Sequence, residues 1–303
     1  MSLKAKALAQ LADSYQITPE ALQESIIGSG IKIQFSRPLT WDLCYEYFYS
    51  KREKLINESP DEEALKNGAL ELYTYLGSYG MLRSSVLKHV NRLVLIHLLN
   101  KLFIEVNNLH INPYAHPTNI AAEDLSQLVA TVYIAFRETL SLQTIIADIG
   151  KEPTDTMISK ILMGTLGVLP AFDQNFCAAA NAYNSAFKSL TKKNNVKANK
   201  IKVKKLPYML LKRYNKPNYD VTNESDLKKV AANLEPLLDF VADPDVANFL
   251  RDGVGQIFKN DKLISTEYPT MRLLDLYFWG IGAMISPKKE NQESGLPRNG
   301  KLA

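Results

Sequence analysis

The sequence predicts an all-α fold, a globular multi-helix bundle with at most a small two-stranded element. Three observations carry that expectation. Apolar residues recur at three- and four-residue spacing through most of the long segments, the period of one buried helix face. Capping residues followed by proline stand in front of several of those segments, and proline at a first helical position costs no hydrogen bond. Only one short stretch, "IKIQF" at 31–35, reads as a strand, and it has no obvious partner.

The elements follow in order. In "ITPEALQESIIGSG" Thr18 is the expected cap, Pro19 the first helical residue and Gly28 the stop. Thr40 precedes a helix whose apolar face is Trp41, Cys44, Tyr45 and Phe48. "ESPDEEAL" has the form of a capping box, with Ser59 as cap, Pro60 in the first turn and Glu62 three residues on. That helix is expected to reach about Leu76, before "GSYG". Residues 81–107 and 122–148 read as two long helices at the centre of the bundle, separated by a break at Pro113 and Pro117. "EPTDTMISKILMG" and "PAFDQNFCAAANAYNSAF" read as two helices around a Gly/Pro turn, and three more helical segments follow the basic stretch. One domain is expected over 1–285, with a possible seam near 189–206, and 286–303 reads as a disordered polar tail.

Composition narrows the function classes. Of 303 residues, 46% are apolar and 22% charged, the range of an ordinary globular chain. No run approaches the roughly 18 apolar residues of a membrane-spanning helix, so no membrane partner is expected. The two cysteines, Cys44 and Cys177, lie far apart, which fits a reducing, cytoplasmic setting and excludes a four-cysteine zinc or iron–sulfur site. His89, His97, His110 and His116 include no pair four residues apart, and no carboxylate lies between His89 and His97. No metal and no cofactor is therefore expected. The sequence holds no phosphate loop, no dinucleotide-binding glycine pattern and no esterase nucleophile elbow, and whether the protein is an enzyme stays open.

Charge is more informative. Between Asp173 and Asp220 there is no acidic residue, and that interval holds eleven basic ones, while the rest of the chain has 25 basic against 32 acidic residues. Basic residues gathered beside Tyr208, Tyr214 and Tyr219 are the pattern of a polyanion-binding surface, in which lysines neutralise phosphates and aromatic rings stack on bases. Association with DNA or RNA through 188–216 is accordingly one expectation, with Lys192, Lys193, Lys197, Lys200, Lys202, Lys204, Lys205 and Arg213 as contacts.

A second expectation is an anion pocket. Arg272 and Asp275 stand three apart on a helix that is otherwise nearly all apolar, so they share a face and a buried or cleft-lining position. Arg83 stands after two glycines and before two serines at the start of a long helix, and Lys160 ends a helical turn before Gly164 and Gly167. Arg83, Lys160, Arg272 and Asp275 are the candidate lining of a site for a small anion or phosphate, in a small-molecule enzyme. A third reading is a non-enzymatic interaction or regulatory module, whose tyrosine-rich helices ("CYEYFYS", "LYTYLGSYG") meet a protein partner.

In "KILMGTLGVLPAFDQNFCAAANAY" a glycine-containing turn leads into Asp173 and Asn175 at the start of a helix, where the helix dipole favours a carboxylate. This stretch resembles the region around the catalytic aspartate of helix–hairpin–helix DNA glycosylases. The resemblance implies a catalytic role for Asp173 and a turn whose amides hold DNA backbone. "GSYGMLRSS", "YPTMRLLDLYFWGIG" and "KILMGTLGVLPAFD" together resemble a group of uncharacterised bacterial all-helical proteins, a likeness that implies the fold and no activity.

Overall fold

The first helix, α1 (Leu3–Ser14), starts where the Ser2 hydroxyl accepts the Ala5 amide at 3.2 Å. The computed structural model describes residues 1–28, 36–84, 87, 92–115, 120–142, 153–193, 223–258, 264–265 and 267–286. After α1 come α2 (Pro19–Ile27), α3 (Pro38–Leu55) and α4 (Glu62–Ser78), then a single helical turn at Met81–Ser84. The chain continues through α5 (Leu93–Asn108), α6 (Ala122–Leu142), α7 (Asp155–Leu166) and α8 (Gln174–Lys193). It ends with α9 (Glu224–Val241), α10 (Pro244–Leu250), a π-helical turn at Arg251–Gly255, and α11 (Thr270–Ile285). The fold is all-α, with no strand among the described residues. "IKIQF" lies outside them.

Local chemistry explains most of the helix starts, including two that differ from the sequence reading. Thr18 caps α2 through Ala21 at 3.2 Å, and Gly28 ends it with φ of 100°, a conformation glycine adopts without strain. The cap of α4 is Asp61 rather than Ser59. The Asp61 carboxylate accepts the Ala64 amide at 2.8 Å, whereas the Ser59 amide is turned toward the Asn57 side chain, also at 2.8 Å. Asp is as good a cap as Ser, and its charge adds to the favourable dipole interaction. Helix α3 begins two residues before Thr40, at Pro38, whose fixed φ suits a first helical position. The Thr40 hydroxyl donates instead to the Arg37 carbonyl at 2.7 Å.

Helices α5 and α6 pack along one another, α5 leaning on α4 and α6 on α9. Both belong to the core, but the innermost layer is α7 with α11. From Met157 to Phe172 every residue is buried, and α11 is buried from Thr270 to Gly282 except at Trp279.

Two glycines set the approach of these inner helices. A Cβ on Gly282 would lie 1.9 Å from the Asn175 carbonyl oxygen, so α11 and the start of α8 touch backbone to backbone. A Cβ on Gly164 would meet the Tyr75 ring at 2.7 Å, which fixes α7 against α4. The first contact brings Asp275 beside Asp173 and the second brings Lys160 beside Tyr79.

Candidate anion-binding pocket

Where α2, α3, α7 and α11 meet they line a partly open cavity of about 350 Å³. Its charged lining is Lys160 from α7, Arg272 and Asp275 from α11, and Arg37 at the start of α3. Tyr79, just past α4, and Trp279 on α11 supply aromatic walls, and Ile26 and Leu276 supply aliphatic ones. Arg37 is exposed at the rim.

Arg272 is 1% exposed and Lys160 4%, and an uncompensated charge at such depth is strongly disfavoured. Arg272 Nη1 donates to Asp275 Oδ2 at 2.9 Å and Nη2 to the Pro38 carbonyl at 3.2 Å. Its guanidinium lies 4.6 Å from the Trp41 ring centre, a cation–π contact. Its Nε is buried with no hydrogen-bond partner among the described residues. Lys160 Nζ reaches Asp173 Oδ2 at 3.4 Å and lies 4.3 Å from the Tyr79 ring centre. An ammonium carries three donors and a guanidinium five, so among the described residues each buried cation keeps donors uncommitted.

The carboxylates are tied into the same cluster. Asp275 Oδ1 accepts the Ala171 amide at 2.8 Å while Oδ2 holds Arg272. Asp173 Oδ1 accepts the Asn175 and Phe176 amides at 3.1 and 3.0 Å, capping α8, and Oδ2 holds Lys160. Burial pushes the Asp275 carboxyl above its usual range, against the pull of Arg272 and Lys160. Burial also opposes charge on Arg272, but Tyr79, Asp275, Tyr75 and Asp42 outweigh it and hold the guanidinium above its ordinary value.

No protein-family model, curated protein or solved structure matches the chain.

Three of the four residues expected in an anion pocket, Lys160, Arg272 and Asp275, do line one cavity. The fourth, Arg83, lies in the helical turn Met81–Ser84, and its side chain is outside what the structure describes. Arg37, Tyr79 and Trp279 were not foreseen. Trp279 had a signal: with Arg272, Asp275 and Leu276 it completes an i, i+3, i+4, i+7 face of α11. Arg37 and Tyr79 arrive from chain segments distant in sequence and had none.

Asp173 sits behind the cavity rather than in its lining. The turn before it, 168–172, is buried, with the Ala171 amide on Asp275 and the Phe172 amide on Ser159 Oγ at 2.9 Å. A hairpin that grips nucleic-acid backbone must present its amides outward, and these two face inward. Of the expected polyanion contacts, Lys192 is exposed near the end of α8, as is Lys188. The Lys193 side chain, Lys197, Lys200, Lys202, Lys204, Lys205 and Arg213 fall outside the described residues. No described helix is long and apolar enough to cross a membrane.

Proposed function

We propose that this protein binds a small anionic molecule in the cavity between α2, α3, α7 and α11. One observation carries the reading: two deeply buried cations, Lys160 and Arg272, line one cavity, and Arg272 Nε is buried there with no hydrogen-bond partner among the described residues. Buried donors favour an acceptor, and a charged acceptor makes the stronger bond. Apolar and aromatic walls around a few convergent polar groups are the usual make-up of a small-molecule site.

Titration with 3-phenylpropionate and with phenyl phosphate, followed by tryptophan fluorescence, tests this. Trp279 lines the cavity and Trp41 underlies Arg272, and the chain has two tryptophans. At least one ligand is expected to bind. Lys160→Gln should weaken it about tenfold or more, the value of a charge-assisted bond, with the helical circular dichroism retained. Binding unchanged by Lys160→Gln removes the proposal.

A second reading, polyanion binding by 188–216, is favoured by the acid-free span of the sequence and by the exposure of Lys188 and Lys192. It requires DNA or RNA affinity that falls steeply between about 50 and 200 mM salt. A flat response would eliminate it.

A further inference from the structure

Resting on that anion-binding reading, we infer that the pocket takes an amphiphilic organic anion, a medium-chain carboxylate or alkyl phosphate, whose head enters first and whose apolar body lies toward the opening. The lining is sorted by depth. Lys160, Arg272 and Asp275 are buried, and Arg272 Nε there has no hydrogen-bond partner among the described residues. Tyr79 and Trp279 are half-buried, so the aromatic walls stand nearer to water than this charged floor does. The same order runs along α11. Arg272, Asp275, Leu276 and Trp279 share one face, which passes from charge to apolar surface over about 10 Å at the rise of a helix.

Trp279 gives a second observation. It is the one residue between Thr270 and Gly282 that the fold leaves partly open, and it lines the cavity. An indole offers more apolar surface than most side chains, and a half-covered one gains from an apolar body laid against it. Ile26 of α2 and Leu276 of α11 complete that wall. An inorganic anion would meet the donors of the floor and leave the wall uncovered, whereas an amphiphile uses both. At about 30 Å³ for each water-sized atom, the 350 Å³ cavity holds roughly a dozen non-hydrogen atoms, enough for a head and a chain of about eight carbons.

Two homologous series decide it: alkanoates and alkyl phosphates of four, six and eight carbons, titrated calorimetrically into the full chain near pH 7.5. Octan-1-ol and octan-1-amine are titrated beside them. Each methylene laid on the wall should tighten binding about two- to fourfold. In at least one series the eight-carbon anion is therefore expected to bind at least tenfold tighter than the four-carbon one, and at least tenfold tighter than the alcohol or the amine. Affinity independent of chain length in both series, with Lys160→Gln still weakening the anions, overturns the amphiphile and leaves the anion pocket standing. Alcohol or amine binding as tight as both eight-carbon anions, or no binding by any probe at millimolar concentration, overturns both. Trp279→Ala locates the chain: it should weaken the eight-carbon anion several-fold with the helical circular dichroism retained. Unchanged binding in that variant refutes the inference, because a chain held elsewhere on the surface would not register the loss of the indole.

Discussion

Two clusters of charge join helices in this fold, and they are built on opposite terms. In the cavity, Lys160 and Arg272 meet Asp173 and Asp275, with Lys160, Arg272 and Asp275 almost wholly enclosed. On the opposite pairing of the core, Lys101 and His97 of α5 meet Glu138 of α6, with His97 Nε2 at 3.6 Å and side chains between 37% and 44% exposed. The second cluster is far more open to water, although His97 Nε2 is buried there with no hydrogen-bond partner among the described residues. In the first cluster each donor and acceptor must find a fixed partner or bear the cost of desolvation, so an uncommitted donor there carries meaning that it lacks at the surface. The comparison separates charges that shape a site from charges that decorate one.

The largest expected effect tests the enclosed cluster. Arg272→Leu removes the guanidinium from between Asp275, the Pro38 carbonyl and the Trp41 ring, leaving buried Asp275 with the Ala171 amide as its one hydrogen-bond partner among the described residues. Breaking one side of a buried pair costs roughly 3–5 kcal/mol, and urea unfolding should lose that much. Arg272→Leu combined with Asp275→Leu should cost less than the two single losses added, because the second change takes away the stranded charge. A single-variant loss below about 1 kcal/mol would place Arg272 with the surface charges and dissolve the contrast.

How much of this was legible beforehand differs between the two scales. The all-α class, the Thr18 cap and the Gly28 stop follow from short-range rules, which act within a turn or two and are therefore written in contiguous residues. The Arg272–Asp275 pair was equally readable, being three residues apart on one helix. No local pattern joins Lys160 to them: the sequence places it at the end of a helical turn, and its position beside the pair is set by packing. The carboxylate beside it, Asp173, was read as a cap or a catalytic group; it is the cap and also the lysine's partner. Arg37 and Tyr79 reach the cavity through the packing of α3 and α4 against α7, which no local pattern encodes. The Ser59 reading failed for a different reason: Ser59 and Asp61 both satisfy the cap preference, and the turn through Asn57 chose between them.

The smallest expected effect is a difference of sign between two carboxylates. The Lys101 hydrogen bond holds Glu138 below its ordinary range, partly offset by its modest burial. Its contribution to stability is present above the unfolded-state value and is lost as the pH falls through the folded one. Asp275 is displaced upward, chiefly by burial. The folded protein then holds that proton more firmly than the unfolded chain does, so acidification favours the fold through this group, and the contribution fades as the pH rises from the unfolded value through the folded one. Urea midpoints for the wild type, Glu138→Gln and Asp275→Asn between about pH 3 and pH 7 should show this. The wild-type advantage over Glu138→Gln, about 0.2–1 kcal/mol near neutrality for so exposed a pair, should shrink toward pH 3. The difference between wild type and Asp275→Asn should move in the wild type's favour over the same descent, since Asn keeps an acceptor for Ala171 but cannot take up a proton. If both differences ran in the same direction, enclosure would not be what sets the cavity carboxylate apart from the one that faces water.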